Sequence, residues 1–129
     1  MTEYEPGVCN IGAGKQRLRY GLGAVSFAAT LVLLVAVYAL SLPPMLLLAT
    51  FIPLFGAAEG YYQGRFGFCA GFGLLGVYDV SDGGDDRTVV RDADARRHDR
   101  RRSIQIHVYA AGTALAGALI VYAVGSLVT

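Results

Sequence analysis

Apolar and polar residues are segregated along this chain into blocks rather than interleaved. Tyr20 to Leu40 is an uncharged apolar run of 21 residues, as long as the roughly 20 residues with which a helix crosses about 30 Å of hydrocarbon. Ser41-Leu42-Pro43-Pro44 reads as a tight connection, and proline suits the first turn of a following helix, where its missing N–H costs nothing. A second apolar block runs from Pro44 to about Gly64, with Pro53 in its interior expected to kink it. The apolar stretch 66–80 is shorter and rich in glycine (Gly67, Gly71, Gly73, Gly76). It falls below the length of a span, so it is expected to be a re-entrant or interfacial segment, or a bent continuation of the second helix. Asp79 to Asp86 reads as a loop with Gly83-Gly84 as its turn signal. Residues 88–102 read as a polar helix with acids early, arginines late, and Asp92 and Arg96 spaced i,i+4. That helix is expected to run on into a third apolar block, Ile104 to Val128, unless Ser103 caps a fresh start.

The pattern predicts an all-α fold, an integral membrane helical bundle in a single domain over 1–129. It has about three transmembrane helices, at 20–40, 44–64 and 104–128. A cytoplasmic arm (1–19), the short segment 66–80, and a cytoplasmic loop with a polar helix (81–103) complete it. A cleavable signal peptide ending near Ala39-Leu40-Ser41 is the rival reading of the first block. Its apolar run, however, exceeds the usual 7–15 residues of a signal core. Orientation is read from the basic residues. Lys15, Arg17 and Arg19 precede span one, Arg65 follows span two, and Arg96, Arg97, Arg100, Arg101 and Arg102 precede span three. The positive-inside tendency puts all three groups in the cytoplasm of a cell membrane, with the N-terminus inside. Four spans would place the arginine-rich stretch outside and would use the block that is too short.

Composition sharpens this picture. Charged residues make up only 16% of the chain and hydrophobic ones 54%. The charges are confined to 1–19, Glu59, Arg65 and 79–102. A net charge of +1 gives no broad basic field, so no nucleic-acid partner is expected and the lipid bilayer is the main one. Two cysteines are too few for a disulfide scaffold.

Three groups of residues are candidates for function. Gly56, Gly60 and Gly64 form overlapping G-x-x-x-G steps on one helix face, where close backbone approach drives helix association in lipid. That face packs either within one subunit or in a homo-oligomer. The row Ala110, Ala114 and Ala118 on span three is a natural partner for it. Glu59 is the only acid inside an apolar block, and an intramembrane charge faces protein or water. Glu59 and Gln63 lie beside the glycine stripe, and Gln105 and His107 come early in span three. Glu59 is expected either to meet His107 or to pair with Arg65 and water near the interface. Cys9 and Cys69 are expected to approach each other at the cytoplasmic membrane face as a thiol pair, with nearby arginines lowering a thiol pKa. The alternative is that they are two unrelated small residues. The acidic loop Asp79, Asp82, Asp85, Asp86 lacks EF-hand spacing and reads as solvated. Gly71, Gly73 and Gly76 spell G-x-G-x-x-G without the strand–helix setting that would give it meaning, and Gly12-Ala13-Gly14-Lys15 lacks the full phosphate-loop pattern. No pattern calls for a metal or a cofactor.

Cys9-Asn10-Ile11-Gly12, with Arg17 and Arg19 after it, and Phe68-Cys69-Ala70-Gly71-Phe72-Gly73 resemble a family of small prokaryotic membrane proteins that carry an N-terminal C-N-I-G and a later F-C-x-x-F-G. The resemblance implies a membrane fold and brings no activity with it. Asn10-Ile11-Gly12 before Arg19 is also similar to the opening of a two-helix membrane domain fused to rhodaneses. That family's acidic–Arg pair is replaced here by Lys15-Gln16. This second likeness implies sulfur handling, and both put Cys9 and Cys69 forward. The leading expectation is a non-enzymatic helix-packing subunit of a membrane complex or a homo-oligomer. The alternatives are a dithiol redox or sulfur-handling protein using Cys9 and Cys69, and a small transporter or channel subunit using Glu59, Gln63 and His107. With three spans the transporter would have to oligomerise.

Overall fold

The computed structural model describes residues 3–81 and 84–128. In order along the chain come α1 (Ala13–Ala39), a 3-10 segment (Pro44–Thr50) running into α2 (Phe51–Phe66), α3 (Ala70–Leu75), β1 (Val77–Tyr78), β2 (Thr88–Val89) and α4 (Ala93–Val128). The fold is the all-α bundle that hydropathy predicts, with one two-stranded antiparallel ribbon pairing Val77 with Val89 and Tyr78 with Thr88. Three helical stretches are long and apolar enough to cross a membrane: Ala13–Ala39, Pro44–Phe66 and Ala93–Val128. The helix α2 lies between α1 and α4, the 3-10 segment also touches both, and α3 rests on α4.

Several boundaries differ from the hydropathy reading. The first helix begins at Ala13, inside the polar arm, because residues 9–12 are held as extended chain by partners described below. The polar helix begins at Ala93 rather than near 88, because Thr88 and Val89 are taken up by pairing with β1. It then runs unbroken past Ser103, whose hydroxyl donates to Asp99 O at 2.9 Å within the helix instead of capping a new one. Pro53 does not kink a helix interior. It sits in the first turn of α2, where no intrahelical N–H bond is required. The residue whose carbonyl its ring would crowd, Ala49, belongs to the preceding 3-10 segment. Segment 66–80 leaves α2 at Gly67 and lies along α4, with Phe68 and Ala70 packed on Ile106. Gly73 of α3 lies against Ser103 and Asp99 of α4, beyond the apolar part of that helix.

The ends of α1 and α2 close in the same way. Phe68 N donates to Gln63 O (3.1 Å) with Gly67 at φ +64°, and Leu42 N donates to Val37 O (2.9 Å) with Ser41 at φ +52°. These are αL caps that satisfy orphan carbonyls. Gly67 adopts that conformation freely, whereas Ser41 does so at a cost of about 1 kcal/mol.

Small residues fill much of the contact between the long helices, with a few large ones such as Leu47 and Ile106 buried beside them, and many large apolar side chains point outward. Gly23, Ala58, Gly60, Ala110, Ala114 and Ala118 are buried, while Val25, Val32, Ile52 and Leu127 are exposed. The glycine stripe of α2 meets span one, not span three. A Cβ at Gly56 would lie 2.7 Å from Ser26 Oγ, one at Gly64 would lie 2.9 Å from the Tyr20 ring, and one at Gly60 would lie 2.6 Å from both Gly23 Cα and Arg19 O. The alanine row of α4 is buried on the other side of the bundle, where Gly117 faces Leu54 and Gly125 faces Leu47 and Tyr38. Gly60→Ile should therefore destabilise the folded monomer by about 1–3 kcal/mol or prevent helix docking, because the obstacle is backbone that cannot give way. Unfolding by a denaturing detergent, followed by circular dichroism, would show it. Unchanged stability would mean that α1 and α2 do not approach at this point.

Candidate functional site

The chemistry-bearing residues gather at one end of the bundle, where the N-terminal arm, the α2–α3 junction, the ribbon and the start of α4 meet. Asn10 is the centre of this cap and is fully buried. Its backbone N–H donates to Gly67 O (3.1 Å), and its backbone carbonyl accepts from Asp79 N (2.9 Å). Its side-chain Nδ2 donates to Cys69 O (3.0 Å), while its Oδ1 accepts from Cys69 N (2.6 Å). Asn10 thus uses its backbone and its amide side chain to pair with two different stretches of chain. Ile11 continues the extended segment with a parallel bridge to Asp79 and packs, fully buried, with Cys69 and Phe72. Gly12 follows because the chain passes too close to its neighbour for a side chain, a Cβ there falling 2.5 Å from Ser81 O.

Two buried carboxylates complete the cap. Asp79 is not solvated. It is fully buried, accepts from Ser81 N (3.1 Å), Ser81 Oγ (2.5 Å) and Asp86 N (2.8 Å), and pairs with Lys15 Nζ at 3.1 Å. Lys15 also donates to Gly84 O (2.6 Å). Burial alone would push the Asp79 carboxyl up, but these donors together outweigh it and hold the group well below the usual carboxylate range. Asp82 and Gly83 lie outside the described residues, and Asp85 and Asp86 are exposed. On α4, the fully buried Asp99 accepts from Tyr4 Oη (2.6 Å) and Gly7 N (2.7 Å). Tyr4 stacks on Tyr78 with ring centroids 4.2 Å apart. Burial first, and then the bond to Asp99, pushes the Tyr4 hydroxyl well above its usual range.

Cys9 and Cys69 both belong to this cap, joined through Asn10, and both are free thiols. Cys9 is half-buried and its Sγ donates to Ile11 O (3.4 Å). Burial pushes its thiol up, outweighing an opposing contribution from the Ile11 backbone, and the Glu5 carboxylate adds to the rise, so Cys9 is not the lowered-pKa thiol expected from the basic arm. Cys69 is buried and accepts from Arg19 Nη2 at 3.1 Å. Arg19 Nε is buried without a partner among the described residues.

Glu59, Gln63 and His107 are brought together. Glu59 Oε1 meets His107 Nδ1 at 2.5 Å, and Gln63 Nε2 donates to Glu59 Oε2 at 2.6 Å. Glu59 therefore meets His107 rather than Arg65. Phe55 stacks beside the imidazole, and the His107 side chain is 41% exposed, on the outer surface of the bundle rather than in an enclosed site. Gln105 accepts from Arg102 Nη1 (3.3 Å) and takes no part in the cluster.

Sequence reasoning missed Asn10, the Lys15–Asp79 pair, the Tyr4–Asp99 bond and a chain of aromatic rings across the three long helices. Tyr20 meets Tyr61, Tyr61 meets Tyr62, and Tyr62 meets Tyr109 and Phe66, at centroid distances of 5.5–6.3 Å. The signal for the ring chain was available, because each tyrosine stands at the polar end of an apolar block.

Asn10→Ala should leave the Cys69 N–H and carbonyl buried without partners, at about 1–3 kcal/mol each. The expected outcome is a large loss of stability in detergent unfolding with the helix content of the folded state retained. For Asp79, a carboxylate held below its unfolded value contributes stability that is complete above the ordinary aspartate pKa of about 3.9 and is lost as pH falls below it. Wild-type stability should decline on acidification through this window, and Asp79→Asn should lose much of that decline. An identical acid slope in the variant would contradict the assignment. Comparison with models of protein families, with curated proteins and with solved structures finds no match, so these roles rest on the geometry alone.

Proposed function

We propose that this chain is a non-catalytic helix-packing subunit that crosses a cell membrane three times, with its cap and N-terminus on the cytoplasmic side. The supporting observation is a coincidence of three lengths. From Tyr20 to Ala39, from Tyr61 back to Pro44, and from Tyr109 to Val128, each stretch is about 29 Å long at helical rise per residue, which matches a hydrocarbon core of about 30 Å. The ring chain Tyr20–Tyr61–Tyr62–Tyr109 then serves as the aromatic belt at one interface. Arg19, Arg65 and the arginines of α4 lie on its cap side, which favours the cytoplasm for the cap.

Depth also weighs between the readings. Glu59 lies two residues on the lipid side of Tyr61, and His107 lies two residues on the cap side of Tyr109. A polar pair at the boundary fits an anchoring contact better than a transport site, which is expected near the midplane. The buried Asn10, Asp79 and Asp99 of the cap bond to other side chains and to backbone, as a scaffold requires. The Arg19–Cys69 contact is the one observation that favours thiol chemistry, and the raised Cys9 thiol weighs against it.

With Gly56, Gly60 and Gly64 closed against α1, association with another helix must use a different surface. Gly112 on α4 has open space where a Cβ would stand and Ala116 beside it is exposed. A glycine there costs about 1 kcal/mol of helix propensity and gains nothing inside the subunit. A photo-crosslinking residue at Leu115, which flanks Gly112, should give a protein adduct in native membranes, with a second copy or another subunit. The same residue at Phe27, on the outer face of α1, should capture lipid. Lipid alone at both positions would sink the assembly reading.

A further inference from the structure

A cleft of about 250 Å³ lies between the turn at Pro6 and Gly7 and the outer face of α4, lined on the helix side by His98, Arg101, Arg102 and Gln105. These four positions are spaced i, i+3, i+4 and i+7, so they form one stripe of a helix. Among the described residues, no carboxylate lines the cleft. Asp99, on the same helix, is buried behind the turn with its two oxygens occupied by Tyr4 Oη and Gly7 N. The wall opposite α4 is fixed by that bond and by close contact, since a Cβ at Gly7 would lie 3.3 Å from His98 Cβ and from His98 O.

We propose that this cleft binds the phosphate of an anionic lipid headgroup, with Arg101 and Arg102 as the principal ligands. The arginines of α4 differ in what they have to spare. Arg97 is paired with Asp94 (3.4 Å), and Arg96 Nε donates to Val90 O. Arg101 has no ion-pair partner among the described residues and is exposed. Arg102 is held flat by the Phe66 ring, whose centroid is 4.2 Å from its guanidinium carbon, and by its Nη1 bond to Gln105, and no ion pair uses its charge among the described residues. A planar, pre-oriented guanidinium with unused donors is the group that recognises phosphate through paired hydrogen bonds. Depth selects the source of the phosphate. Along the helix, Gln105 and Arg102 stand about 6–10 Å beyond Tyr109, in or just above the headgroup layer that begins where the hydrocarbon ends. The anion chemistry stands on the cleft alone, and only the lipid source rests on placing the membrane boundary at the tyrosine belt.

The test uses the full chain, stripped of lipid in an uncharged maltoside detergent. Native mass spectrometry and melting curves would follow titration with dioctanoyl phosphatidylglycerol, dioctanoyl phosphatidylcholine and inorganic phosphate. The anionic lipid should bind saturably and raise the melting temperature, at least about tenfold more tightly than the choline lipid or phosphate. Arg101→Gln should weaken it about tenfold, the loss of one charge-assisted contact. The exposed position of Arg101 makes this variant the safe one, and its unliganded melting temperature should match wild type. Arg102→Gln should weaken binding further, whereas Arg97→Gln, outside the cleft, should leave it unchanged. Saturable inorganic phosphate as tight as the lipid, weakened by Arg101→Gln, would keep the anion site and overturn the lipid source. Binding of neither anion, or binding that Arg101→Gln leaves intact, would overturn the site itself.

Discussion

The insertion of Asn10 between the end of α2 and the end of β1 is the constraint on which the cap depends. Four hydrogen bonds leave this one buried residue, two toward Gly67 and Cys69 and two that involve its carbonyl and amide oxygen. Each is worth only about 1 kcal/mol when made, but a partner left bare at a buried site costs more. The arm is thereby committed to one path. That path sets where α1 can begin, since Gly12 is the residue before its first turn and donates to Asp79 O at 3.2 Å. With both the start of α1 and the end of α2 tied to the same strand, their register follows, and Gly23 arrives opposite Gly60.

The bundle needs such an external clamp because its interior supplies little hydrophobic drive of its own. Lipid is as apolar as the side chains it would replace, so helices within a bilayer are held by close packing and by polar contacts. Small residues between the helices give the close packing. The Glu59–His107 contact, bracketed by Gln63 and Phe55, gives one polar contact between α2 and α4. The cap supplies the rest in a setting where hydrogen bonds are exchanged against water. Lys15 illustrates the balance. A cation in the first turn of α1 is unfavourable to the helix dipole, and here it is held by the buried Asp79 carboxylate, which has three further donors.

Much of this was legible in the sequence, and the parts that were not share a cause. Length and charge-free runs disclosed the three long helices, because a membrane-spanning helix is defined by a one-dimensional pattern. The G-x-x-x-G step marked a packing face but did not say which helix would meet it, since both neighbours carry small residues. The contact between Glu59 and His107 was legible from depth and spacing. The cap was not, because irregular chain held by isolated bridges has no period to read. In the Cys9-Asn10-Ile11-Gly12 motif the cysteines drew attention, whereas Asn10, Ile11 and Gly12 carry the geometry. A buried asparagine between two apolar residues was the available clue. Asp79 reads as solvated in the sequence because it stands in an acidic loop without metal-binding spacing, and nothing local marks which acid of a cluster turns inward.

Hydrogen exchange of single backbone amides in micelles probes the clamp most directly. If the account is right, the amides of Asn10, Gly12, Cys69 and Asp79 are protected to a similar degree and open together as one unit. They should remain protected after the outer turns of α4 have exchanged. Fast, coil-like exchange at Asn10 and Gly12 while Cys69 and Asp79 stay protected would show that the arm does not hold the cap, and would contradict the account.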